Sequence, residues 1–144
     1  MPDATVRTLT RWMIATLRSV GWAPLAVFTF HVVAVVAWNI YSRFPDFDIP
    51  MHFIGGVAIT YFFGGSYRAA RQFDLLGTPS KAMYPVTVLG LTCVAAVVWE
   101  FAEFLMDRRF GTHSQPSLED TLLDLLMGLL GGIAFLTVQY KRWP

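Results

Sequence analysis

Three carboxylates in this chain, Glu100, Glu103 and Asp124, have neighbours that belong in hydrocarbon: Val97, Val98 and Phe101 around the first two, Leu123 and Leu125 beside the third. A carboxylate in such surroundings is expensive, and by default it marks a functional site. Further acids and one imidazole recur at helical spacing. Glu100, Glu103 and Asp107 fall within one helical face, Asp120 and Asp124 lie one turn apart, and so do Asp48 and His52. So many carboxylates in one place cannot all ionise unless protons or a bound cation neutralise them. A divalent metal ion is the economical solution, with His52 supplying nitrogen and Asp48, Glu100, Glu103, Asp120 and Asp124 supplying oxygen. In that arrangement Glu100, Glu103 and Asp107 are the catalytic candidates, one of Glu103 and Asp107 acting as general base. Arg108 or Arg109 would bind a phosphate, and Asn39 is at the right depth to join the site.

The elements that must hold these residues are membrane helices. The chain of 144 residues is 55% hydrophobic and 15% charged, and its mean hydropathy of +0.49 is too high for a water-soluble domain of this size. Four stretches, about 22–42, 52–68, 84–105 and 120–140, approach the length needed to cross ~30 Å of hydrocarbon, the second being the shortest. They are continuously apolar without the alternation of a barrel strand, so the expected fold is all-α: a four-transmembrane-helix bundle. No linker or repeat divides residues 1–144, which read as one integral membrane domain. The single cysteine, Cys93, has no internal disulfide partner.

Residues 4–20 put Val6, Leu9, Met13, Leu17 and Val20 on one stripe and Arg7, Arg11 and Arg18 opposite it. This pattern predicts an amphipathic helix lying on the membrane surface; a cytoplasmic extension of the first span is the alternative. A cleaved leader is not expected, because the apolar run starts only at Trp22, is span-length and lacks a small-residue cleavage site at its end. Lys and Arg set the orientation. Arg7, Arg11, Arg18, Arg68, Arg71, Lys81, Lys141 and Arg142 fall on one side, and only Arg43, Arg108 and Arg109 on the other. Both termini are therefore expected in the cytoplasm, with the acids gathered in a shallow cup on the extracytoplasmic side. Glu100 would lie roughly 8 Å, and Asp124 roughly 6 Å, below the ends of their helices.

Simpler roles exist for several of these residues. Asp48, just before Pro50, could be an N-cap, and Ser117 with Asp120 has the spacing of a capping box. Asp46 and Glu119 read as solvated loop charges, and Asp107 as an interfacial ion-pair partner of the adjacent arginines. The intramembrane acids could also form a hydrogen-bonded network that ties helices together. His31, near the middle of the first span, reads as a packed histidine rather than a ligand. Gly56, Thr60 and Gly64, with Gly128, Gly131 and Gly132, suggest close helix packing. Trp38, Tyr41, Trp99, Tyr140 and Trp143 lie near span ends, as an aromatic belt would. A phosphate-binding glycine loop, a nucleophile elbow, a Cys/His zinc motif and a basic nucleic-acid face are all missing from the sequence.

Asp48-Ile-Pro-Met-His52, then Trp99-Glu100-x-x-Glu103-x-x-x-Asp107 and Asp120-Thr-x-x-Asp124-Leu with Gly131 downstream, resemble the YjdF-like integral membrane proteins of the wider VanZ-like group. The resemblance runs from about Asp48 to Gly132. The VanZ-like pattern is Asp-x-x-x-His, Glu-x-x-Gln and Asp-x-x-x-Asn followed by Gly. Asp48, His52 and Glu100 match it, whereas Glu103 and Asp124 replace the amides, which places the chain nearer the YjdF-like branch. The resemblance implies the fold and the position of the site, but no reaction.

Together these features point to a bacterial-type cell-membrane protein, multi-pass, holding a divalent metal and acting on membrane lipids or lipid-linked headgroups. The alternative is a non-enzymatic scaffold, or a small cation- or proton-coupled transporter working as a homo-oligomer. The apolar inner half of every span, His31 apart, disfavours a through-path.

Overall fold

Helices account for nearly all of the computed structural model, which describes residues 4–112 and 114–140. In order they are α1 (Ala4–Val20), α2 (Trp22–Val36), the single turn α3 (Ile40–Arg43), a 3-10 turn (Pro45–Phe47), α4 (Asp48–Gln72), α5 (Met83–Phe110) and α6 (Leu118–Tyr140). Lys141, Arg142 and Trp143, used above for the charge bias and the aromatic belt, lie outside the described residues, as do the side chains of Tyr41 and Tyr140.

The amphipathic segment forms a helix over the residues expected, 4–20. One edge of it docks on the C-terminal half of α4: Thr16 and Val20 are buried, the Trp12 indole N–H donates to the Ser66 carbonyl at 3.0 Å, and the Arg11 guanidinium lies 5.9 Å from the centre of the Phe73 ring. Val20 thus belongs to the protein interface, while Val6, Leu9, Met13 and Leu17 remain an exposed apolar stripe. Such a stripe suits the headgroup boundary of a bilayer.

Among the described residues, α5 and α6 are long and apolar enough to cross a membrane, and α1 with α2, bent by 56°, adds a third crossing if that pair counts as one span. Four clear spans, as the apolar runs suggested, are not seen, for two reasons. The first run is interrupted: α2 has 15 residues, about 22 Å of helix, and the chain breaks at Asn39, whose backbone is left-handed (φ 48). The second run is longer than expected, 25 residues, but less apolar. Helix α4 packs against α1, α2, α5 and α6, so neighbouring helices rather than lipid cover much of it. It can therefore carry Gly, Thr and Tyr on buried positions.

Small residues set how α4 meets its partners. A Cβ on Gly56 would fall 2.0 Å from the Gly128 carbonyl oxygen, and one on Gly131 2.1 Å from that of Phe53. The backbones of α4 and α6 touch there. Thr60 and Thr92 tie α4 to α5, their hydroxyls 2.9 Å apart, while each bonds back to its own helix at Gly56 O and Val88 O. Thr92→Val should lower the unfolding midpoint in detergent by the equivalent of about 1 kcal/mol, in the range of intramembrane hydrogen bonds. Thr92→Ser should keep the wild-type midpoint, and equal midpoints for all three would mean that the pair contributes nothing.

Candidate metal centre

The site follows from that register. Gly56 meets Gly128, and one turn earlier on each of these parallel helices stand His52 and Asp124, with Nε2 and Oδ1 3.7 Å apart. Thr60 meets Thr92 across the antiparallel pair α4/α5. Two turns from that contact, His52 Nδ1 faces Glu100 Oε1 at 3.7 Å. Asp48, one turn before His52, brings Oδ1 to 3.4 Å from Nε2. His52 is thus the hub where α4, α5 and α6 converge.

Its two nitrogens face different partners. Asp48, His52 and Asp124 can bring one ligand atom each within 4.8 Å of one another, and so can His52, Glu100 and Glu103. Asp124 is only 2% exposed and Glu100 6%. Among the described residues, the buried oxygens Asp124 Oδ2, Glu103 Oε2 and Asp120 Oδ2 have no hydrogen-bond partner. Buried polar atoms of native proteins are nearly always satisfied, so three orphans around one imidazole need an explanation. With Asp48, Glu100, Glu103 and Asp124 all ionised, even a protonated His52 would compensate only one of the four charges.

Glu100 is held from the other side by a residue that spacing did not single out. The Gln115 side-chain amide donates to both Glu100 Oε2 and the Glu100 carbonyl, each at 2.8 Å. Local geometry explains how a loop residue gets there. Gly111 takes the left-handed conformation (φ 67) that ends α5, its N–H bonding to Asp107 O. The Asp107 carboxylate then gathers the loop, accepting the Thr112 hydroxyl and the N–H groups of Ser114 and Gln115, the last two at 2.9 Å. Gln115 is fixed above Glu100 as a result. Its sequence offers no periodic signal, because it lies outside any helix, 15 residues from its partner.

The other expected residues divide clearly. Asp107 is engaged by the loop. The Ser117 hydroxyl accepts the Asp120 N–H at 3.1 Å, the capping bond its spacing suggested, yet the Asp120 carboxylate still contributes an orphan oxygen. Asn39 is exposed and accepts the Ser42 hydroxyl at 2.9 Å. Arg108 and Arg109 are exposed on the last turn of α5. The His31 ring meets the Trp99 indole edge-on at 5.5 Å. It shares a cavity with His52, about 270 Å³ in volume, between α2, α4 and α5.

The family model for "Predicted membrane protein (DUF2238)" matches residues 4–143. A protein of Thermotoga maritima described as an "Uncharacterized protein" is 32% identical over 115 residues, covering 78% of this chain and 57% of the relative. The chain therefore spans little more than half the length of that relative. No solved structure matches.

Proposed function

The chain belongs to the DUF2238 family of membrane proteins, and from that premise we propose that it is a metal-dependent protein of the cell membrane acting on the headgroups of envelope lipids. One observation carries the metal: His52 Nε2 stands 3.4 and 3.7 Å from the Asp48 and Asp124 oxygens, with the second Asp124 oxygen buried and unpartnered. These separations are long for hydrogen bonds but close to the roughly 3.0–3.5 Å between neighbouring ligands whose bonds to a metal are about 2.1 Å. A nitrogen ligand among carboxylates favours a transition-metal ion over Ca²⁺ or Mg²⁺.

The assignment of nitrogens follows from what is already committed. An imidazole coordinates through one nitrogen and donates through the other, commonly to a carboxylate. Gln115 anchors Glu100, and Glu100 faces Nδ1, so Nε2 is the coordinating atom, with Asp48 and Asp124 as co-ligands. Asp120, one turn from Asp124, is the next oxygen donor. Glu103 is the general base, since Asp107 is occupied by the loop. A divalent ion here would polarise a phosphoryl or acyl oxygen of the headgroup. Arg108 and Arg109 offer their charge to a headgroup phosphate. The positive-inside bias of the loops supports a site on the extracytoplasmic face with cytoplasmic termini. The likeness to the YjdF-like and VanZ-like proteins, whose spaced acids coincide with this cluster, is consistent with a shared site.

Elemental analysis of the detergent-purified protein tests the proposal. The wild type should carry about one divalent ion per chain. Glu100→Ala should weaken metal affinity about 10- to 100-fold, as loss of an outer-shell partner does. A wild type without metal after supplementation would replace this reading with that of a scaffold whose acids hold the helices together.

A further inference from the structure

We propose that the cavity between α2, α4 and α5 binds one acyl chain of a membrane phospholipid and so presents its headgroup to His52. The inference deepens the proposed function by naming the substrate's apolar half. It rests on that reading only for the headgroup; the chain site stands on the cavity itself.

The cavity has the chemistry of a hydrocarbon site. Val27, Phe28, Ile59 and Ala95 line it, and its polar residues are few. Thr92 reaches it, but its hydroxyl is engaged with Thr60 and with Val88 O. Two imidazoles also line it, and one of them, that of His52, is the hub of the carboxylate cluster. A pocket lined mostly by apolar residues and including His52 matches an amphiphile whose polar group lies on His52. Its volume of about 270 Å³ is just under the usual range for small-molecule pockets, ~300–1,000 Å³, which suits part of a lipid better than a whole one.

The surroundings say where such a chain comes from. On α5, Val98 and Phe101, flanking Trp99 in sequence, are 59% and 63% exposed, and α5 is, among the described residues, one of the two helices apolar enough to cross the membrane unaided. An apolar space bordered by lipid-facing residues fills with what surrounds it, and in a bilayer that is acyl chain. Gly55 supplies width: a Cβ there meets nothing within 4 Å, unlike its neighbour Gly56, whose Cβ position is occupied by the backbone of α6. A larger side chain at Gly55 therefore enters the cavity without forcing helices apart.

The protein is reconstituted in phosphatidylethanolamine/phosphatidylglycerol vesicles containing a trace phospholipid with a mid-chain diazirine, irradiated, and mapped by peptide mass spectrometry. Labels are expected on Val27, Ile59 and Ala95, in addition to surface labels on Val98 and Phe101. In Gly55→Trp the cavity labels should fall at least tenfold while the surface labels and metal content stay at wild-type levels; Gly55→Leu, a smaller plug, should give an intermediate loss. Cavity labels equal in all three proteins, or labels confined to the surface, would overturn the proposal. Labelling by a diazirine fatty acid alone, without labelling by the phospholipid, would overturn the phospholipid assignment. Because metal is measured in the same samples, a metal-free protein with intact cavity labelling would refute the metal reading and leave the chain site standing.

Discussion

His52→Ala is expected to reduce metal affinity more than about 100-fold, beyond the effect of an outer-shell change, and to abolish any activity that depends on the ion. No other single substitution should do as much, because His52 alone faces both carboxylate groups: Asp48 and Asp124 at Nε2, Glu100 at Nδ1. Alanine removes the imidazole on which both carboxylate groups converge and leaves the acids facing one another. The stability readout has a definite sign. A ligand that binds only the folded state stabilises it, by about 2.7 kcal/mol when present at 100 times its dissociation constant. Wild-type protein should therefore unfold at a higher temperature as metal is added, and His52→Ala should show no such rise. Acidification should act in the same direction as the mutation, since protons compete with metal for the imidazole and carboxylates. A metal-dependent rise that persists in His52→Ala would place the ion elsewhere.

Gly56→Ala should be nearly as damaging through a different physical route. The added methyl would overlap three backbone atoms of Gly128, with the carbonyl oxygen at 2.0 Å, and no rotamer change can move a backbone aside. Overpacking of flexible cores costs about 1–3 kcal/mol; a backbone-to-backbone overlap belongs at or above the top of that range. Gly131→Ala meets the carbonyl of Phe53 at 2.1 Å and should behave alike. Gly90→Ala, where nothing lies within 4 Å, is the control and should change stability by no more than about 1 kcal/mol. Titrated with metal after purification in mild detergent, Gly56→Ala should also bind less, because the crossing it disrupts holds His52 opposite Asp124 one turn away. A stable Gly56→Ala protein with wild-type metal affinity would separate the site from the crossing.

The carboxylates and His52 were legible because their cost is local. An acid among Val, Leu and Phe is anomalous whatever the fold, and helical spacing shows which acids share a face. The amphipathic segment 4–20 was legible for the same reason, its stripe being a property of one helix. The second span was less so: residues 52–68 read as a crossing, whereas α4, with its Gly, Thr and Ser residues, is not among the described helices long and apolar enough to cross a membrane, and its neighbours cover much of it. Gln115 and the loop bonds of Asp107 were passed over because the partners lie in a loop, where no period exists.

The sequence by itself determined the membrane class, the all-helical character and the residues too polar for their surroundings, since each follows from composition or from the 3.6-residue period of a single helix. Only the tertiary structure decided which acids meet. The glycine contact of α4 with α6 and the threonine pair between α4 and α5 set two registers, and those registers place Asp124 and Glu100 on opposite nitrogens of one imidazole. Register depends on which backbones approach closely enough to touch, a relation between helices that no single helix records.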